Sequence, residues 1–343
     1  MTKSTGEPRV TVFSLGGTIA STDTGTSGVV GGVTPQLEAS ELIKSVPRLR
    51  EIAELETVSF RQIPSGDLSF SDLIELATQI TKRFDAGTTG VVVTQGTDTI
   101  EETSFALDLL VRDSRPVVVT GAMRNPTLAG PDGPANLLAA VQVAASREVT
   151  GLGTLVVFND EIHAARFVRK THTSSPATFH SPSAGPLGWI AEGLPRITFR
   201  LPALEGIPSN AGGEVPAVAL LKVTLGDDPR LIEQIETLGY VGLVVEGLGG
   251  GHVPARMAPS LGALATRIPV VLASRTGSGE VLRETYGFAG SERDLLSRGL
   301  ISAGVLDGLK ARVLLSLLLR AGGDLASVRR NFEQVSRSIC THA

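Results

Sequence analysis

VVVTQGTDTIEET, residues 91–103, is the stretch that decides how this chain folds. Val91, Val92 and Val93 are β-branched and run straight into turn residues, the pattern of a buried strand. Gln95-Gly96-Thr97-Asp98 predicts a tight turn, and a helix begins behind it. Thr99 and Glu102 have capping-box spacing, as do Asp98 and Glu101. In an open α/β sheet, ligands bind beyond the carboxyl ends of the strands, where helix N-termini present free N–H groups. Thr97 and Asp98 therefore stand where chemistry is expected, although both residue types are also ordinary helix caps.

The same strand–turn–helix unit recurs on both sides. Upstream, Val10–Leu15 reads as a strand broken by Gly16-Gly17, with Thr18 directly behind. Thr22–Val33 is rich in glycine and threonine and reads as a mobile loop or lid. Thr34-Pro35 predicts a helix start, Thr34 being the N-cap. A weaker strand near Thr57–Ile63 ends in Pro64-Ser65-Gly66-Asp67. Ser69 and Asp72 can cap the next helix, which carries Leu73, Ile74, Leu76, Ala77, Ile80 and Phe84 on one side and is stopped at Gly87. Downstream, Val117–Thr120, a polar loop and a helix near Pro134–Ala145 complete another unit. Alternation at roughly 30-residue spacing is the signature of a parallel, doubly wound sheet.

Beyond the strand Thr154–Phe158 the rhythm changes. Asn159–Gly188 reads as a hairpin or irregular excursion holding Lys170 and His163, His172 and His180. Ile190–Glu214, rich in proline and glycine, is the best linker candidate. Strands at Val218–Thr224, Val241–Glu246 and Val270–Ser274 then alternate with helices from Pro229 and around Ser260–Thr266. Helices near Asp294–Arg298, Leu309–Arg320 and Asp324–Ser338 close the chain.

Composition bounds the function. The 343 residues are 42% hydrophobic and 19% charged, with a formal net charge of −4. That is an ordinary globular composition with room for two domains. No Lys/Arg cluster stands out, so nucleic acid and anionic membrane are poor partners. Cys340 is the only cysteine, which rules out an intrachain disulfide and a cysteine-based metal site. The first residues lack the apolar run of a signal peptide, and Val313–Leu319 is too short to span a bilayer, so a cytoplasmic protein is expected.

Several motifs drop out. Gly247-Leu248-Gly249-Gly250-Gly251-His252 has histidine at the last position of a dinucleotide loop and reads better as a tight turn. No Gly-Lys dipeptide and no GxSxG elbow occur. The three histidines are spaced too widely for helical metal pairing and read as solvated loop residues. What remains is a set of hydroxyls at successive strand ends, Thr18, Ser65 and Thr97, with Asp98 beside one of them and Lys170 in the excursion. A hydroxyl nucleophile needs a base or a strong local field. A lysine held by a carboxylate can serve, and N–H groups at glycine-rich turns can stabilise an oxyanion. Thr–Lys–Asp suggests acyl-transfer hydrolysis without histidine.

At these residues the chain resembles the bacterial-type L-asparaginase family over nearly its whole length. SLGGTIA at Ser14–Ala20 is similar to the family's first signature, with Thr18 as threonine nucleophile. TQGTDTIEET at Thr94–Thr103 is similar to the second, with Thr97 and Asp98 in catalytic positions and Gly96 among the substrate-binding residues. IPSGD places Ser65 as the substrate-carboxylate serine, followed by Gly66, where glutamine is common, and Asp67. GAMR at Gly121–Arg124 places the backbone of Ala122 opposite the scissile amide, and PDGPANL at Pro131–Leu137 also fits. RKT at Arg169–Thr171 makes Lys170 the lysine of a Thr–Asp–Lys group. ATFHSPSAGPLGWI, YGF and LKARVLL extend the match.

Three departures stand out: Gly250 and His252 occupy a region where secreted relatives have an asparagine, and two others bear on mechanism. Relatives carry a tyrosine in the loop behind the nucleophile. Here only Tyr240 and Tyr286 exist, and neither lies in Thr22–Val33. The group that activates Thr18 is left open. Relatives also take an acidic residue from the neighbouring subunit for the substrate's amino group, and Glu280 and Glu284 are both candidates.

The resemblance implies an α/β fold: a larger N-terminal domain with a doubly wound, mostly parallel sheet, and a smaller C-terminal α/β domain. The expected bounds are 1–202 and 215–343, joined by a linker at 203–214. It implies hydrolysis of L-asparagine to L-aspartate and ammonia through a threonyl acyl-enzyme, with no metal or organic cofactor. It also implies a homotetramer built from tight dimers. The alternatives are a broader glutaminase-asparaginase or other amidase on the same fold, and a non-catalytic amino-acid-binding module.

Overall fold

The computed structural model describes residues 6–23, 33–35, 39–207 and 213–340. The chain forms two compact units, Met1–Ala203 and Leu204–Ala343.

In the first unit, β1 (Arg9–Ser14) is buried along all but its first residue. A short pair follows, β2 (Ser21–Asp23) antiparallel to β3 (Val33–Pro35). The expected helix start at Thr34 is therefore a strand. Thr34 and Pro35 pair antiparallel with Thr22 and Ser21, which holds them extended, and α1 runs Ala39–Lys44. β4 (Glu54–Ser59) lies three residues ahead of the expected Thr57–Ile63, because parallel pairing sets it opposite Arg9–Ser14. Residues 24–32, most of the expected lid, lie outside the described residues.

α2 (Phe70–Asp85) starts with the expected capping box: Ser69 Oγ accepts from Asp72 N, and the Asp72 carboxylate accepts from Ser69 N. Such a cap is worth about 1 kcal/mol. Leu73, Leu76, Ala77, Ile80 and Phe84 are buried along the expected face, each large side chain contributing roughly 1.5–3 kcal/mol. β5 (Gly90–Thr94) is buried throughout, and α3 (Ile100–Leu110) is buried on nearly every side. Asp108 ties α3 to the sheet by accepting from Thr154 N at 2.7 Å. β6 (Val117–Thr120), α4 (Gly133–Ala145) and β7 (Thr154–Phe158) complete the alternation.

β8 (Glu161–Ala164) turns back antiparallel on β7 through Asn159 and Asp160, both at positive φ. β9 (Arg169–Lys170) and β10 (Phe179–His180) form a separate antiparallel pair. β11 (Gly188–Ala191) and β12 (Leu194–Ile197) then make a hairpin that extends the large sheet, so the first part of the expected linker is strand. Glu192 and Gly193 both have positive φ, which a two-residue hairpin turn requires.

The eight strands lie in the order β12-β11-β8-β7-β6-β5-β1-β4. From β4 through β7 neighbouring pairs are parallel. The chain leaves β1 for β4 on one side and returns to β5 on the other. Strand order thus reverses at β1, and such switch points open a crevice at the carboxyl ends of the strands. The register makes those ends flush, with Ser14 opposite both Ser59 and Thr94, and Thr94 opposite Thr120.

His163 corrects the solvated-loop reading of the histidines. Its side chain is fully buried, Nδ1 lies 3.0 Å from Ser181 Oγ, and burial pushes its pKa down to about 4. The Glu161 carboxylate lies 3.2 Å from Nε2 but is 41% exposed, so water screens it and desolvation wins. An unfolded histidine titrates near 6.5. Between that value and about 4 the unfolded chain binds a proton that the folded chain refuses. Stability therefore falls as pH drops through this window, by up to about 3 kcal/mol. Thermal midpoints measured from pH 7 to pH 4 should fall, and less steeply in His163→Asn.

The second unit holds a parallel four-stranded sheet, β13 (Val218–Lys222), β14 (Gly242–Gly247), β15 (Val270–Ser274) and β16 (Ile301–Ser302). Around it stand α5 (Ala258–Ala265), α6 (Glu292–Ser297), α7 (Gly308–Ala321) and α8 (Leu325–Ile339). Ser291, Asp307 and Asp324 cap the last three. The helix expected from Pro229 is only a turn at Ile232–Gln234. Ile232 and Ile235 are buried while Leu231 and Leu238 are exposed, too little burial to propagate a helix. The glycine-rich stretch after β14 is a tight turn closed by a bridge between Leu248 and His252. Among the described residues no helix is long and apolar enough to cross a membrane.

Candidate active site

Three turns meet beyond the carboxyl ends of β1, β4 and β5. Gly17 has φ +81, and a Cβ there would lie 2.0 Å from Gly96 N, so the turn that leads into Thr18 rests directly on the turn that leads into Thr97. A Cβ on Gly96 would in turn meet Ser65 Oγ at 2.8 Å. Only glycine lets these backbones approach so closely. Thr18 opens a short 3₁₀ turn, Thr18–Ala20, and is half-buried. Ser65 and Thr97 open similar turns and are buried, whereas Gly66, Asp67 and Asp98 are exposed.

The expected capping box at Thr99 does not form. Thr99 is the N-cap but makes no side-chain cap. Its hydroxyl donates instead to Ser65 O at 3.1 Å and accepts from Gln95 Nε2 at 3.2 Å. Gln95 Nε2 also donates to Gly96 O. Side chains at 95 and 99 thus fasten the second turn to the third, and tertiary partners win over the local cap. Glu101 is likewise diverted, its Oε1 accepting from the backbone N–H of Lys170 at 2.8 Å.

Lys170 arrives from β9 and spans the turn. Its Nζ donates to Thr97 Oγ1 at 2.8 Å and to Asp98 Oδ1 at 2.6 Å. The lysine side chain is 16% exposed and the Asp98 carboxylate 78% exposed. The Thr–Lys–Asp group expected from sequence is therefore assembled, with the threonine at its buried end and the carboxylate at its wet end.

Ala122, behind β6, is buried, and its turn is held from both sides. Asn136 Nδ2 donates to Gly121 O at 3.0 Å, and the Asp132 carboxylate accepts from Met123 N and Arg124 N. Asn136 Nδ2 also donates to Asp132 Oδ2, and Ile19 side-chain atoms approach Gly133. The fastening roles of Asp132 and Asn136 escaped the sequence reading, as did those of Gln95 and Thr99. The i, i+4 spacing of both polar pairs was the available signal. Glu280 and Glu284 belong to the second unit, where both are exposed.

Chemically, the region offers hydroxyls on three adjoining turns, a lysine hydrogen-bonded to one of them, and glycine-rich backbone for a developing oxyanion. Comparison with known proteins gives a consistent picture. The family described as Asparaginase, N-terminal matches residues 9–202, and that described as Glutaminase/Asparaginase C-terminal domain matches residues 217–332. An L-asparaginase of Bacillus licheniformis is 37% identical over 313 residues, covering 91% of this chain and 95% of its own length. L-asparaginase 2 of Escherichia coli K12 is 34% identical over 335 residues, covering 95% and 93%. A crystal structure of a probable cytoplasmic L-asparaginase from Campylobacter jejuni has a TM-score of 0.86 at 31% identity, covering 96% of this chain and 100% of that one.

Proposed function

The chain belongs to the asparaginase family, and on that premise we propose that its strand-end hydroxyls carry out amide hydrolysis. It is an L-asparaginase, converting L-asparagine and water to L-aspartate and ammonia. In our reading Thr18 Oγ attacks the side-chain amide carbon. The C–N bond breaks, and the nitrogen leaves as ammonia with the threonine's proton. Water then attacks the ester, aspartate leaves, and one of the water's protons goes to Oγ. Thr97, Asp98 and Lys170 move the protons, Ser65 binds the substrate's carboxylate, Gly66 and Asp67 complete that substrate-binding turn, and the backbone at Gly96 and Ala122 faces the amide.

The observation that carries this reading is the single hydrogen-bonded cluster Thr97–Lys170–Asp98, set on the turn that packs against the one bearing Thr18. Ammonia release from asparagine and from glutamine, at micromolar and millimolar substrate, tests it. Absence of release from asparagine at both concentrations would sink it. We place the enzyme in the cytoplasm, the compartment named for the Campylobacter neighbour.

We further propose a homotetramer of tight dimers whose sites are completed across the dimer. With Asp98 bound to the lysine, the substrate's ammonium is short of one carboxylate partner, and a buried unpaired charge is costly. Glu280 and Glu284, exposed in a glycine-bearing loop, are the groups we assign to the partner's site, as an isologous dimer allows. Inactive Thr18→Ala protomers, unfolded and refolded with protomers carrying Glu280→Ala and Glu284→Ala, should regain activity through mixed dimers. Mixed dimers seen by native mass spectrometry but without activity would mean that each chain completes its own site.

A further inference from the structure

We infer that Glu101 is a positioning residue for Lys170, tethering the lysine's backbone so that its Nζ stays between Thr97 and Asp98. The inference rests on the catalytic reading of Lys170 given above. Lys170 lies 69 residues from Glu101 in sequence and sits in a two-residue strand, Arg169–Lys170, paired among the described residues only with Phe179–His180. The neighbouring ladder bond runs from Thr171 N to Thr178 O at 2.8 Å, whereas the lysine's own N–H bonds outside the strand pair. Its N–H donates to Glu101 Oε1 at 2.8 Å, and that side chain is buried, with the residue only 6% exposed. Hydrogen bonds to a carboxylate in such surroundings are among the stronger ones.

Glu101 stands in the first turn of α3, three residues after Asp98 and four after Thr97. One helix start therefore grips both ends of the lysine: Thr97 and Asp98 hold Nζ, and Glu101 holds the backbone N–H. A first-turn glutamate can also serve only its own helix, as a cap or against the helix dipole. Here the carboxylate reaches across to another segment, and no side-chain cap is made at Thr99. Loss of the tether frees the lysine's Cα to shift, and a misplacement of about 1 Å can cost about a hundredfold in rate.

The test combines turnover with hydrogen exchange at the Lys170 amide. Glu101→Leu should lower kcat by about a hundredfold with KM little changed, and should speed exchange at that amide. Glu101→Gln, whose amide oxygen still accepts, should restore both towards the parent. Glu101→Asp, too short to reach, should behave like Glu101→Leu and serves if the leucine variant does not fold. In a Lys170→Met background, Glu101→Leu should cost no further kcat. Unchanged exchange in Glu101→Leu, equal losses in Glu101→Gln and Glu101→Leu, or a full second loss in the Lys170→Met background would each overturn the inference. If Lys170→Met keeps its kcat while Glu101→Leu still loosens the amide, the tether stands but the catalytic reading of Lys170 falls, and the positioning role with it.

Discussion

Thr18→Ala is expected to abolish turnover while leaving aspartate binding nearly intact. Removing a covalent nucleophile costs on the order of 10⁶ in kcat in well-studied hydrolases, because no other group can form the acyl bond. Binding survives because Ser65, assigned to the substrate's carboxylate, stands on a different turn, Ser65–Asp67, behind β4. Folding should survive as well. Thr18 is half-buried, and its loss removes a hydroxyl and a methyl from the first position of a three-residue turn. A typical point substitution costs about 1 kcal/mol, too little to unfold a domain. The backbone approach that shapes the turn belongs to Gly17 against Gly96, which the substitution leaves alone. Intact-mass trapping at short times should show an adduct on Thr18 in the parent and none in the variant, while calorimetry shows aspartate binding in both. An adduct on Thr97 with Thr18 unmodified would transfer the nucleophile's role to the threonine that Lys170 holds.

Much of the fold follows from local pattern. Runs such as Val91–Val93 and Val117–Val119 are β-branched, bounded by turn residues and buried on both faces, so they could hardly be anything but interior strands. Ser69, Asp307 and Asp324 each accept from the backbone N–H three residues on, a partner that sequence spacing alone supplies. Legibility fails where a residue's partner is remote. Thr99 and Glu101 have the spacing of local caps, yet one bonds to Ser65 and the other to Lys170. His163 sits in a polar-looking excursion, but the antiparallel return of β8 onto β7 carries it inside the sheet. Glu192-Gly193 reads as linker because its proline- and glycine-bearing surroundings hide a hairpin with positive φ at both turn residues. Of the site, the hydroxyls after β1, β4 and β5 are readable from their turns. The tie between Thr97 and Lys170 spans 73 residues, and only the fold brings the two together.

Lys170→Met should lower kcat by about two to four orders of magnitude, the usual worth of a positioned acid–base group, with a smaller change in KM. The cost falls unevenly on the lysine's two partners. Asp98 is 78% exposed, so water can take over its charge when the ammonium is removed, and the exposed end of the ion pair is worth at most about 1 kcal/mol. Thr97 is 7% exposed, and its hydroxyl loses a partner at 2.8 Å that solvent replaces poorly. The variant should therefore fold with little loss of stability and fail at chemistry. Near-parental kcat at neutral pH would mean that the Thr–Lys–Asp group does not carry protons. Lys170→Arg separates charge from proton transfer. A guanidinium stays protonated at any pH a protein survives, so it can keep a cation beside Asp98 but cannot take up a hydroxyl's proton. If Lys170 acts as proton carrier, the arginine variant should be nearly as impaired as the methionine variant. If it acts only as a fixed positive charge, arginine should recover a substantial part of kcat.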